Sequence, residues 1–473
     1  MDIMSEDQSD TQAIGRDIAA ALAALRYEDI PADVVRLTKL FTLDTLGVIG
    51  GAAKAPGMRE LLTALTEWEA SGKATLLLNG RSANPATAAL ANGAAAHSLD
   101  FDDQHDPARV HVFCVVLPAM IAALEAEESV SGRDALTAIA VGVELFCRLG
   151  LACYNSLGKG WHPTTAFGSI AAAAAAAKVF KLDAERTLHA MALAFVQLSG
   201  TTQFIADGAL AKRIGPGFAA RSGVLAAQMA RHGVTGPYRF LEGKAGLFTL
   251  YERGEVRPEI LTEGLGQAWR VRDLSMKPYP CCRCVHTTIQ IALEFRELGI
   301  RGEDIASGTI ELGTVNRQIV GAPFDQTHPN PVVHAQFNAA YAFAAALTDG
   351  EVTIPTFAPA RVRAADIAFA TRLSCVDAKD FEPTAVPPAR VTLVLKDGRT
   401  LSRTRLTMKG APDEPMTQDE VFAKFRACLE HGFATTPQDA TALLDHVMRL
   451  DEVPQARELV RLFLDCQRKR LAA

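Results

Sequence analysis

Seven consecutive alanines occupy positions 171–177, inside the stretch GWHPTTAFGSIAAAAAAAKVF. Alanine is the strongest helix former and gives a strand only a methyl group to pack, so this run reads as helix, with Pro163 suited to its first turn. Ala-rich segments recur in NPATAALANGAAAHSLDF and AQFNAAYAFAAALTDG. Aromatic residues make up only 7% of the chain, so the core has to be filled by Ala, Leu and Val. Side chains this small let helices approach closely, which favours a tightly packed helical body.

At 473 residues the chain is too long for a single core, and two domains are expected. Helical periodicity runs from about residue 11 to 265, through IPADVVRLTKLFTLDTLGVIGG, GRDALTAIAVGVELFCRLG and GFAARSGVLAAQMARHG. The pattern then changes. GTIELGTV and ARVTLVLKDGRTLSRTRL alternate apolar and polar positions, the second around an Asp397-Gly398 hairpin turn. From Thr417 the helical period returns. The expected fold is mainly α: a large all-helical domain formed by 1–269 and 409–473, with a smaller α+β lid domain, 270–408, inserted.

The net charge is −6 and the pI about 6.0, which gives no support to a nucleic-acid partner. The start, MDIMSEDQSD, is acidic and lacks an apolar signal-peptide region, and residues 1–10 are expected to be disordered. No apolar run is read as a membrane span. Nine cysteines without a regular framework fit reduced thiols and a cytoplasmic location. The cluster Cys281-Cys282-x-Cys284 lacks zinc-ribbon spacing.

Four segments carry candidate chemistry. HSLDFDDQHDPARVHVF, 97–113, gathers Asp100, Asp102, Asp103 and Asp106 with His97, His105 and His111 between apolar helices. Such acids can ligate a divalent cation, serve as general acid or base, fix neighbouring His and Lys side chains, or merely cap helices. GKGWHPTTAFGS places His162 at a helix N-terminus, where free N–H groups suit a carboxylate, although a structural histidine is the commoner outcome. In DGALAKRIGPGFAARSG, Lys212 and Arg213 lead into Gly-Pro-Gly and then a helix, with small residues that let backbone amides approach an anion; the order is not that of a P-loop. KPYPCCRCVH presents Lys277, Tyr279, Arg283 and His286 on an extended, Pro-stiffened connection, which would equally serve as a rigid interdomain linker. Cationic groups beside acid/base residues, without a nucleotide fingerprint, suit proton removal next to a carboxylate. The dianion so formed needs positive charge to stabilise it.

With those residues in place, the chain resembles the MmgE/PrpD family, which includes 2-methylcitrate dehydratases, cis-aconitate decarboxylases and iminodisuccinate epimerases. ALANGAAAHSLDFDD is the most specific stretch, joined by GWHPTTAFGSIAAAAAAAK, KPYP and AQFNAAYAFAAALTDG. The resemblance implies a helical domain with an α+β lid, a homodimer, a pocket between the domains, and no metal or other cofactor. It carries active-site roles onto Asp100, His111, His162, Lys212, Lys277 and Tyr341. Lys212 and Lys277, helped by Arg213 or Arg283, would hold the carboxylates of a small di- or tricarboxylate. His162 or His111 would move the proton, Asp100 would orient a histidine or act as the second acid/base group, and Tyr341 would donate from the lid.

Three positions depart from the family pattern. Gln104 stands where many members have Thr in the pocket, and is expected to meet substrate. His111-Val112-Phe113 replaces His-Pro-Ser after what reads as a one-residue insertion. Ile214-Gly215-Pro216-Gly217 replaces Leu-His-x-Gly, which removes one histidine. The leading expectation is a cofactor-independent hydro-lyase of the 2-methylcitrate dehydratase kind. The alternatives are an epimerase of an iminodisuccinate-like acid, a cis-aconitate-type decarboxylase, and a carboxylate-binding member without turnover.

Overall fold

The computed structural model describes residues 13–68 and 71–467. The expected disordered start, 1–10, lies outside them. Helices dominate the chain up to Arg231 and return from Gln418. One continuous hydrophobic core runs from Ile18 through Met276 and takes up Val421, Phe425, Leu429, Leu443, Leu459 and Phe463 of the C-terminal helices. A second core, from Cys281 to Leu395, belongs to the smaller domain. The body core thus continues past the expected boundary at 269/270, and the break falls at KPYP, 277–280.

The alanine run lies in the helix Pro163–Val179, where residues 171–177 are all buried. Its neighbour, the helix Ala211–Arg231, packs so closely that a Cβ on Gly223 would stand 2.4 Å from the Ala172 Cβ. The same neighbour crosses the helix Pro85–His97 through two glycines. A Cβ on Gly93 would meet Gly217 Cα at 2.9 Å, and one on Gly217 would meet the Leu90 carbonyl oxygen at 2.2 Å. This corrects the expectation for Gly-Pro-Gly: 215–217 lie inside a helix that begins at Ala211 and carries Pro216 within it. The glycines serve a helix crossing, not an anion cradle. The crossing brings Lys212, near the start of one helix, against His97 at the end of the other.

The inserted domain is a four-stranded sheet in the order Leu373–Asp377, Ile305–Leu312, Ala389–Leu395, Thr400–Arg405. The first pair is parallel and the others antiparallel. The helices His286–Glu297 and Ala339–Asp349 contribute to its core. Gly398 supplies the positive φ of +89° that the expected hairpin needs. The Asp-rich loop is tied to the last stretch of the body before the break, where Gln104 and His105 pair with Ser275 and Leu274 in a short antiparallel bridge.

Among the described residues one helix, Gly132–Ala152, has the length and apolar composition to cross a membrane, contrary to the sequence reading; 94% of its apolar window is buried inside the protein.

Candidate active site

Every residue from His97 to Asp106 is buried, so the loop that carries so many charges is an interior structure and not a solvated connection. Asp103 explains part of its composition. Its two carboxylate oxygens accept from the backbone N–H groups of Val112 and Phe113, at 3.1 and 2.9 Å, where the helix Phe113–Ala126 begins. Burial and the neighbouring Asp102 nevertheless push the Asp103 carboxyl up to about 8.

The other acids meet cations and imidazoles. Lys277 Nζ, fully buried, donates to the Asp100 carbonyl oxygen at 3.0 Å and to Oδ1 at 2.7 Å. Lys212 Nζ lies 3.4 Å from Asp100 Oδ2 and donates to His97 Nε2 at 3.0 Å. His97 Nδ1–H in turn donates to Asp102 at 2.8 Å. With both ring nitrogens so used, His97 is the neutral Nδ1–H tautomer. His111 Nδ1–H donates to the Asp103 carbonyl oxygen at 2.9 Å, and its ring meets that of His97 edge-on, centroids 4.6 Å apart. That leaves His111 Nε2 with its lone pair. His162 precedes the alanine helix as expected, and its Nδ1 is 2.8 Å from Thr165 Oγ1.

The charges follow from this packing. Burial alone would raise Asp100, but Lys212 and Lys277 outweigh it and hold the carboxyl well below the usual range. Burial is likewise overcome at Asp102, by His97 and His111. At Lys277 burial opposes the charge, and Asp100 and Asp102 raise it above the ordinary lysine value. Burial pushes the imidazoles down, His111 to about 3 with Lys277, His97 and Lys212 adding to the effect. His162 is held well below its usual value by burial, Lys212 and the other two rings. The resting site therefore holds two carboxylates, Lys277 as an ammonium and neutral imidazoles.

The side chains of His97, Asp100, Lys212, Arg213, Gln336 and Phe337 line a chamber of about 10 Å³, room for roughly one water. Val333 and Phe337 also line a cleft of about 1520 Å³ between body and lid. The segment 333–337 is thus the wall between cleft and chamber, and a polycarboxylate needs that wall to move. Arg213 Nη2 donates to Gln336 Oε1 at 3.1 Å, and Asn330 Nδ2 to the Gly208 carbonyl oxygen at 2.5 Å, so both bonds hold the wall to the body.

The structure brings together Asp100, His111, His162, Lys212 and Lys277, with Arg213 at the chamber wall. It places three other expected residues elsewhere. Tyr341 is fully buried in the lid core beside Phe324 and Phe357, and its hydroxyl donates to the Thr356 carbonyl, so the expected lid donor is already committed. Gln104 turns its amide to Asp106 at 3.0 Å. Arg283, also fully buried, lies 3.5 Å from Asp106 and donates to the Lys409 carbonyl oxygen at 2.8 Å; its role is to tie the loop to the lid. His97, Asp102 and Gln336 are parts of the site that were not assigned from sequence. The only sequence signal for the first two was their place inside the 97–113 motif.

Four of these residues, His97, Asp100, Asp102 and His111, have potential ligand atoms within 4.8 Å of one another. Two lysine side chains already sit against these atoms, and the Lys277 ammonium would repel a divalent ion. The donor set does not fit a metal centre.

The buried neutral histidines predict the direction of acid denaturation. His97, His105, His111, His162 and His286 are all pushed down, mainly by burial. Each stays neutral in the folded protein, while the unfolded chain takes up a proton below about pH 6.5. Their stability contribution is present above that pH and is lost as pH falls toward the folded values, about 3 for His111. Each contributes a slope of about 1.4 kcal/mol per pH unit in its window. Asp103 acts the other way, because its folded form keeps a proton up to about 8. His334, His431 and His446 are pushed down as well, and Asp44, Glu125, Glu144 and Glu252 are raised by burial as Asp103 is. The histidines titrate in the unfolded chain at about pH 6.5 and the carboxyls at about 4, so the histidines dominate between pH 7 and 5 and predict a lower urea midpoint at pH 5; a midpoint unchanged or higher there would contradict the neutral assignment.

Residues 16–259 match the MmgE/PrpD N-terminal domain, and residues 279–450 match the MmgE/PrpD C-terminal domain. Among curated proteins, the cis-aconitate decarboxylase-like protein oryM of Aspergillus oryzae is 31% identical over 431 residues, 85% of this chain and 87% of that protein. The cis-aconitate decarboxylase of Aspergillus terreus is 28% identical over 487 residues, 98% of each chain. The human cis-aconitate decarboxylase is 28% identical over 443 residues, 88% of each.

Proposed function

From the premise that the chain belongs to the MmgE/PrpD family, we propose that it is a decarboxylase of a small tricarboxylate, with cis-aconitate as the candidate substrate. The observation that carries this reading is the pairing of Lys212 and Lys277 on one carboxylate, Asp100, beside two uncharged imidazoles. The names of the relatives support decarboxylation over the dehydration expected from sequence.

Each reaction part has a residue. Lys212 and Lys277 exchange part of their hold on Asp100 for substrate carboxylates when the chamber opens. The carboxylate on the methylene carbon of cis-aconitate leaves as neutral CO₂, and the C–C electron pair moves through the double bond toward the far carboxylate. An enediolate-like charge builds there, next to an ammonium group. Protonation of the adjacent carbon then gives a methylene-substituted dicarboxylate. His111 or His162 supplies this proton. Three substrate carboxylates reverse the local charge and raise imidazole pKa values that burial and lysines hold down in the empty site. Asp102 and Lys212 keep His97 fixed beneath them. A homodimer in the cytoplasm belongs to the same proposal.

Proton NMR in heavy water tests the reading. The protein is mixed separately with cis-aconitate, 2-methylcitrate, citrate and iminodisuccinate. The expected result is two new vinyl signals from cis-aconitate, one deuterium in the product methylene group, and released CO₂. Water loss from a citrate-type acid, with cis-aconitate unchanged, would replace the decarboxylase by the hydro-lyase; α-proton exchange without an alkene would replace it by the epimerase.

A further inference from the structure

The residue after Asp100 is gripped from a part of the chain more than three hundred positions away. Lys424, on the C-terminal helix Gln418–Phe433, is buried and donates from Nζ to the Phe101 carbonyl oxygen at 2.8 Å. The same ammonium lies 2.7 Å from Asp44 Oδ1 and 3.9 Å from the centre of the Phe101 ring. Asp44, 1% exposed, sits on the helix Ala32–Gly51. The two helices meet closely enough that a Cβ on Gly47 would stand 3.0 Å from Phe425 Cα, which brings the pair together between them.

The loop needs such a grip. Asp100 has φ of +53°, the left-handed region that residues other than glycine adopt uncommonly, aspartate more readily than most. Its own carbonyl oxygen is held by Lys277 and the next by Lys424, so two lysine side chains from separate segments hold successive carbonyl groups at this left-handed position. The Phe101 peptide joins Asp100, which meets the substrate-binding lysines, to Asp102, which fixes His97. The held carbonyl lies in the peptide between Phe101 and Asp102, so its rotation would redirect Asp102 directly and pull on Asp100 through Phe101.

We propose that Lys424 is a positioning residue: by holding the Phe101 carbonyl oxygen it fixes the directions of Asp100 and Asp102, and Asp44 supplies its counter-charge. The inference rests on the proposed function for what the two aspartates do, but the claim that Lys424 orients them can be read without turnover. The bland alternative is a buried ion pair that only fastens the C-terminal helix to the body.

Two double variants separate these roles. D44N/K424M and D44N/K424Q both remove the charges together and keep similar volume, but only glutamine can still donate to the Phe101 carbonyl oxygen. Loss of a second-layer support of this kind typically lowers activity by about 10–100-fold. D44N/K424M is expected to fold with a Tm close to that of D44N/K424Q, to lose kcat in that range and to keep KM within about threefold. D44N/K424Q is expected to recover most of kcat. Imidazole ¹⁵N signals of His97 and His111 form the arm that needs no substrate: they should shift in the methionine protein and return in the glutamine protein. If the wild type turns over none of the tested acids, the decarboxylase reading fails while these signals still decide the positioning role. A D44N/K424M protein that does not fold, or that matches D44N/K424Q in kcat or, where there is no turnover, in its imidazole signals, overturns that role in favour of a structural one.

Discussion

Replacing Lys277 by methionine is expected to remove about 3–5 kcal/mol of stability, because it breaks a buried pair and leaves one charge behind. It is also expected to lower turnover by about 10²–10³-fold, the usual loss when a charge-stabilising group leaves an active site. Lys277 has no exposed surface and makes both of its hydrogen bonds to one residue, Asp100. Without the ammonium, the Asp100 carboxylate keeps only Lys212, at 3.4 Å, and its left-handed backbone loses one of two supports. Loss of the ammonium raises the Asp100 pKa toward or above the ordinary value, so its cheapest response is to take up a proton, which weakens its attraction for Lys212. Urea unfolding of the variant at pH 7 gives the stability loss, and the NMR assay at a temperature where the variant is folded gives the turnover. A folded variant with wild-type turnover would remove Lys277 from the site.

That pairing also marks how far the sequence could be read. The alternation in ARVTLVLKDGRTLSRTRL and the Asp397-Gly398 turn are local signals, and the strands Ala389–Leu395 and Thr400–Arg405 follow them closely. The strand Leu373–Asp377 was not legible, because its short, mostly exposed sequence gains its place only by pairing parallel with Ile305–Leu312, more than sixty residues earlier. Gly-Pro-Gly was misread for a similar reason. In isolation its glycines suggest backbone amides open to an anion, and only the Leu90 carbonyl oxygen on another helix shows why a side chain is excluded at Gly217.

The site divides along the same line. Asp100, His162, Lys212 and Lys277 stand in segments whose composition already set them apart. His97 stands in the same segment as Asp100, but its part in the site depends on Lys212, brought to it across a helix crossing, and no local pattern shows that. Tyr341 shows the reverse error. The segment around it resembles the family, yet Asn338 caps the helix Ala339–Asp349 and the phenol is turned into the lid core, where burial raises its pKa above the ordinary value. Resemblance identified the segment; the direction of the side chain is fixed by packing that no short motif encodes.

The choice between the two candidate proton donors turns on the same kind of detail, and His111→Asn is the variant that addresses it. Asparagine can place an amide N–H near the position of the ring Nδ1, so the 2.9 Å bond to the Asp103 carbonyl oxygen can be kept while Nε2 is removed. The helix start at Phe113 stays fixed by the two amide bonds to Asp103 and by the His111 backbone N–H, which donates to Thr164 at 3.0 Å. The fold should therefore survive, with a small loss from the missing edge-on contact to His97. Loss of a general acid lowers kcat by about 10²–10⁴-fold, and that is the range expected here, with KM little changed because Lys212 and Lys277 remain. The wild-type rate should fall on the alkaline side as the bound-state imidazolium loses its proton, and that limb should disappear in the variant. His162→Asn is the control. Its Nδ1 partner is the Thr165 hydroxyl, a group that can either donate or accept, so its tautomer is not fixed by a carbonyl as that of His111 is. If His111→Asn keeps wild-type kcat and its alkaline limb while His162→Asn loses both, the proton comes from His162 and the imidazole held by the Asp103 carbonyl is a spectator.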